Sequence, residues 1–167
     1  GYRYLGKRVQ RLPDTPHRIA LGFACGVMAS FTPFFGFHFV IAAAFAFVAR
    51  GNILASATGT FTGNPLTFPF IAGASMWMGA RITGLHVQPP LHGWSFRWLW
   101  DNLDAIFIPY LVGGLLPGVV ASCAVYFAVR PVISTYQNRR RLQLMERAKQ
   151  RVHEAAERRK AAKEAKK

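Results

Sequence analysis

Ser30-Phe31-Thr32-Pro33-Phe34-Phe35-Gly36 interrupts a run from Ile19 to Ala49 that contains no Asp, Glu, Lys or Arg. How this interruption is read decides the fold. An unbroken helix over 19–49 would be about 46 Å long and would overshoot a hydrocarbon core ~30 Å thick. Pro33 deletes a helical hydrogen bond and Gly36 admits a turn, leaving two segments too short to span alone. The stretch therefore reads as a re-entrant hairpin, Ile19 to Ser30 inward and Phe37 to Ala49 back.

A second apolar unit, Ile53 to Leu85, meets the same length problem and breaks at Gly63-Asn64-Pro65-Leu66-Thr67. A shift of thirty residues lays Ser30-Phe31-Thr32 on Thr60-Phe61-Thr62 and Ile41-Ala42 on Ile71-Ala72, and each copy closes on Ala-Arg, at Ala49-Arg50 and Ala80-Arg81. Internal repetition of broken helices is the pattern by which membrane carriers build a site near the bilayer midplane.

The charge distribution points to lipid as the solvent. The chain is 51% hydrophobic yet carries a net charge of +14, and the two properties are segregated. Between Ile19 and Phe96 only Arg50 and Arg81 are formally charged, whereas Ser134 to Lys167 holds twelve Lys or Arg and four Glu. Residues 1–18 form a basic flank that ends in Thr15-Pro16, a cap and first-turn pair that starts a helix. Residues 19–130 form the membrane domain: the hairpin at 19–49, a broken helix at 53–85, a Trp-rich interfacial loop at 86–104 and a transmembrane helix at 105–129, where Pro109 and Pro117 predict kinks. Arg130-Pro131 is expected to end that helix, and 131–167 to form a separate basic helix. The fold class is all-α. Two basic ends belong in the cytoplasm, which requires an even number of crossings. One hairpin, one broken crossing and one return crossing satisfy that.

Catalysis is disfavoured because the apolar region lacks any carboxylate to serve as base or ligand. His17, His38, His86, His92 and His153 show no ligand spacing, so neither a metal nor a cofactor is expected. Cys25 and Cys123 read as packing residues. The candidate intramembrane site comprises Thr32, Pro33, Gly36, His38, Thr62, Asn64, Pro65 and Thr67 at the two breaks. Their polar groups have two readings: local partners for backbone that proline leaves unpaired, or a shared polar pocket. For His38 the local role is preferred. Arg50 and Arg81 are candidates for lipid phosphate, or simply snorkelling anchors. In the tail, Arg139, Arg140, Arg141, Arg147, Lys149 and Arg151 favour anionic head groups. Nucleic acid is disfavoured as a partner, since the tail offers one aromatic, Tyr136, and no stacking platform.

Over about residues 16–83 the chain resembles the bacterial membrane family catalogued as domain of unknown function 2062. The likeness rests on Pro16, on Ala20-Leu21-Gly22-Phe23-Ala24 with Gly26, on Thr32-Pro33 with Gly36 and His38, on Arg50-Gly51-Asn52, and on Gly59-Thr60 with Asn64-Pro65 and Thr67. Phe61 stands where the family pattern leads one to expect an aromatic such as Trp. The resemblance implies a multi-pass protein of the bacterial inner membrane, with relatives sometimes joined to glycosyltransferase-like domains.

Together these readings lead to a non-enzymatic module whose paired breaks hold or translocate a phospholipid or polyisoprenyl-phosphate carrier. One rival is an accessory or assembly subunit of a larger membrane complex or homo-oligomer, using faces at Gly22, Gly26, Gly113 and Gly114. Another is a membrane-tethered adaptor that reaches ribosome or RNA through the tail.

Overall fold

The computed structural model describes residues 14–34, 36–85 and 95–164, and all regular structure among them is helical. The flank before Asp14 and the loop at 86–94, with His86 and His92, lie outside the described residues.

Helix α1, Pro16–Ser30, begins where the sequence places a cap: Thr15 Oγ1 accepts the Arg18 amide at 3.3 Å and Pro16 fills the first turn. It unwinds ahead of Pro33, with the Phe31 and Thr32 amides bonding to Met28 and Ala29 at 3.1 and 3.0 Å. Helix α2, His38–Val48, closes with Arg50 in the left-handed region at φ 57° and the Gly51 amide reaching back to Ala46 at 2.7 Å. Asn52 then caps α3, Ile53–Gly59, its Oδ1 accepting the Ala55 amide at 2.9 Å. A 3-10 turn at Thr60–Thr62 leads into the second break, and α4, Phe68–Thr83, ends on Gly84 at φ 71°. Both interruptions thus occur where proline and glycine predict them.

Two boundaries differ from expectation. Phe96–Asp101 is a short helix, α5, so the described part of the expected loop at 86–104 is helical, a state that satisfies its own backbone. The helices expected at 105–129 and 131–167 are a single helix, α6, Leu103–Glu164, of 62 residues and about 93 Å. Pro131 does not end it. One proline forfeits one helical bond, and here Val129 and Ile133 on either side are anchored against Ile19 and Ala55. Pro109 and Pro117 also lie within the continuous helix.

The contacts along α6 define the arrangement. Gly79 of α4 meets Pro109, Ser75 meets Gly113, Phe31 meets Gly114, and Met28 meets Gly118. Farther along, His17 bonds to Tyr126, Ile19 packs on Ile133, and Asp14 meets Gln137. Helices α1 and α4 therefore both run antiparallel to α6, but α4 reaches an earlier part of it. Helix α2 returns beside α1, since the Asn52 amide that follows it bonds the Arg18 carbonyl at 2.8 Å.

The interior is built largely of small residues, with Ile19, Val27, Ile71, Tyr110 and Ile133 as its larger members. Ala20, Ala24, Ala29, Ala42, Ala46, Ala55, Ser56 and Ser75 are buried, while Phe47, Val48, Leu66 and Phe70 are 74%, 81%, 79% and 76% exposed. Close backbone approach explains the glycines: a methyl on Gly22 would overlap the Asn52 carbonyl, and one on Gly26 would overlap that of Ser56. Gly113 and Gly114 face Ser75 and Phe31 in the same way. The four glycines expected to face a partner subunit are thus consumed within the chain.

Candidate functional site

The two breaks abut. Ser30 Oγ, at the end of α1, donates to the Thr60 carbonyl at 3.2 Å and to Gly26 at 3.3 Å. A methyl on Gly63 would come within 2.9 Å of Ser30 Cβ. Phe39 and Phe61 meet edge-on beside this contact, and Phe34 packs on Phe107 of α6.

The polar groups of the breaks serve local structure. Thr32 is buried and its Oγ1 donates to Ala29 at 2.7 Å, while His38 Nε2 bonds the Thr32 carbonyl at 3.2 Å. Pro33 is buried and Gly36, at φ 86°, is exposed. In the second break Asn64 Oδ1 accepts the amides of Leu66 and Thr67 at 2.8 and 3.1 Å, and Nδ2 donates to Phe61 at 3.3 Å. Thr67 Oγ1 bonds the Thr62 carbonyl. Asn64 thereby replaces contacts that Pro65, itself exposed, denies the turn.

Arg50 and Arg81 do not share a site. Arg50 follows α2 at the end where Arg18 and Ile19 lie, whereas Arg81 lies beyond Gly79, which sits against Pro109. Along α6 those levels, Ile133 and Pro109, are about 36 Å apart. Arg81 stacks on Trp77 at 5.3 Å.

The end around Arg50 contains a polar cluster that the sequence reading missed. Asp14 accepts from the Thr15 amide at 2.8 Å, from Arg18 at 3.3 Å and from Asn52 Nδ2 at 3.0 Å. Gln137 of α6 donates to the Asp14 carbonyl at 2.9 Å, and Arg18 Nε to the Arg50 carbonyl at 3.0 Å. Partial burial alone would raise the Asp14 pKa. The bonds from Asn52 and the Thr15 amide, with the Arg18 charge, outweigh that effect and hold it below the ordinary carboxylate value. The available signal was that Asp14 is the sole acid before Asp101.

Beside this cluster an open groove of about 760 Å³ runs between α1, the end of α2 and α6. Its floor is Leu21, Ala24, Cys25 and Met28, and its walls include Val48, Val119 and Phe127. At its mouth His17 Nδ1 and Tyr126 Oη share a 2.8 Å hydrogen bond, and the Arg130 guanidinium lies 5.9 Å from the Tyr126 ring centre. Individually these residues carry no motif, which is why sequence reading passed over them.

The tail residues Arg139, Arg140, Arg141, Arg147, Lys149 and Arg151 are all exposed on α6 beyond Gln137. Tyr136, Arg139, Arg140 and Arg147 edge a shallow hollow of about 470 Å³. No cluster of potential metal ligands occurs among the described residues.

No curated protein matches the chain. No solved structure matches it either. The family described as an uncharacterized protein conserved in bacteria matches residues 2–142, which extends the resemblance through the Trp-rich region and into the basic helix. The chain belongs to this bacterial family, domain of unknown function 2062.

Proposed function

We propose that this chain is a non-enzymatic module of the bacterial inner membrane that binds a phosphate-bearing lipid, a phospholipid or a polyisoprenyl-phosphate carrier. The observation that carries the reading is the packing: an interior largely of Ala, Gly and Ser with few large side chains, and an outer surface rich in Phe, Val and Leu. In water such a surface would be an aggregation liability, whereas in hydrocarbon it costs nothing and small residues supply the close packing that holds helices together. Among the described residues one helix, within Leu103–Ala155, is long and apolar enough to cross a bilayer.

In this reading the arm of α1 and α2 enters and leaves on one side, α3 and α4 make a broken crossing, and α6 returns. The end bearing Arg18, Arg50, Arg130 and the basic tail then faces the cytoplasm, in keeping with the positive-inside rule. The breaks act as satisfied hinges within the bilayer. The lipid is recognised by cations at the cytoplasmic surface, where attraction of about 1 kcal/mol per basic residue is available.

An accessory-subunit role is the second reading, favoured by exposed Leu142, Leu144, Met145 and Val152 on the tail. Native mass spectrometry after gentle extraction tests both. Retained phosphate-bearing lipid on the single chain is the expected result. A stoichiometric protein partner without lipid would replace the lipid reading with the subunit reading, and nuclease-sensitive association would replace it with the adaptor.

A further inference from the structure

The groove between α1, the end of α2 and α6 has the dimensions and the polarity of a site for one lipid molecule. Its floor runs from His17 to Met28, eleven helical rises or about 16 Å, close to half of a ~30 Å hydrocarbon core. It is one leaflet deep. Below the mouth the lining is carbon and sulfur apart from the hydroxyl of Ser122, which is buried and has no hydrogen-bond partner among the described residues, so an extended hydrocarbon chain lying along it breaks no hydrogen bond of the protein.

The mouth has the opposite character. His17 and Tyr126 are already aligned by their mutual hydrogen bond, and Arg130 is stacked beside the same ring, an arrangement that restricts the guanidinium while leaving its N–H edge available. Arg50 follows Ala49, itself a lining residue, and is held in its left-handed turn with the Arg18 Nε on its carbonyl. The one acid at this end, Asp14, is engaged by Arg18, Asn52 and the Thr15 amide. Among the described residues neither Arg50 nor Arg130 has a carboxylate partner. An anion at this position would complete the cluster.

We propose that the groove holds one hydrocarbon chain of an anionic phospholipid from the cytoplasmic leaflet, with its phosphate bound at the mouth by Arg130, Arg50 and the His17–Tyr126 pair. This rests on the lipid-binding reading above and gives it a place and a chemistry. Arg81, at the other end of the fold, takes no part.

The full chain in nanodiscs of mixed phosphatidylglycerol and phosphatidylcholine provides the test, with a phosphatidylglycerol bearing a photoreactive group midway along one acyl chain. Crosslinks should fall within 21–28 and 119–127 and at Phe45, Val48 and Ala49. In competition, phosphatidylglycerol should be retained over phosphatidylcholine. The double variant Arg50→Gln/Arg130→Gln should lower that preference about tenfold or more, as removal of two cations near a lipid surface predicts. Arg81→Gln should leave it unchanged. Ala24→Trp should block the groove and remove the crosslinks, with circular dichroism and elution volume confirming the fold of each variant. Crosslinks of the unaltered chain spread over outward residues such as Phe47, Phe70 and Leu116, or an unchanged preference in the double variant, would overturn the groove site alone. Failure of the unaltered chain to retain any phosphate-bearing lipid would overturn the lipid function with it.

Discussion

Ser30 Oγ donates to the Thr60 carbonyl at 3.2 Å, joining two positions that the thirty-residue shift of the sequence superposes. The two breaks therefore touch at residues that this shift makes equivalent. Their contact is a closed one: the same hydroxyl also reaches Gly26, Thr32 is turned onto Ala29, and Asn64 and Thr67 are occupied with their own turn. Proline leaves backbone groups without partners, and the side chains around the breaks supply them.

Asn64 should accordingly be essential to the second break. Asn64→Leu removes the acceptor of the Leu66 and Thr67 amides and should cost about 1–3 kcal/mol. Thr58→Val removes only a hydroxyl that bonds the Ala55 carbonyl within the helix, at under ~1 kcal/mol. Thermal unfolding in detergent should order the two variants in this way, and equal shifts would mean that the turn does not depend on its asparagine.

The glycines make a sharp contrast. Gly22→Ala forces a methyl into the Asn52 carbonyl, so α1 and α3 must separate, with a loss of about 1–3 kcal/mol or more. Gly73→Ala in α4 meets nothing within 4 Å and should raise stability by about 0.5–1 kcal/mol through helix propensity. Paired melting curves check both, and a neutral Gly22→Ala would contradict the close approach.

Asp14 predicts an acid response. Its folded pKa lies below the ordinary value of 3.8, so its ionised form stabilises the native state above that value. That contribution is lost as pH falls from about 3.8 through the lower folded value. Unfolding of the native chain should therefore grow easier across this window by more than that of Asp14→Asn, which has no charge to lose. Parallel pH dependences for the two would remove Asp14 from the account.

Orientation is tested with single cysteines in a background of Cys25→Ser and Cys123→Ser. On intact cells an impermeant thiol reagent should label Asp101→Cys and spare Gln143→Cys until the membrane is opened. Labelling of Gln143→Cys from outside would place the basic tail on the wrong side.

What the sequence by itself determined is local or compositional. Thr15-Pro16 starts a helix, Pro33 and Gly36 interrupt one, Asn64-Pro65 interrupts another, and the segregation of charge from apolar residues separates the body from the tail. Each of these is decided by residues within a turn or two of one another, so it can be read without knowing what packs where. Only the tertiary structure decided that Pro131 lies inside a helix, since Val129 and Ile133 are anchored by Ile19 and Ala55 from elsewhere in the chain. It also decided that Asp14 joins Asn52 and Gln137, that His17 meets Tyr126 across 109 positions, and that Arg50 and Arg81 stand at opposite ends. Such pairings depend on how antiparallel helices align where glycine and alanine let their backbones approach, and that register is a property of the packed helices together, carried by no single segment.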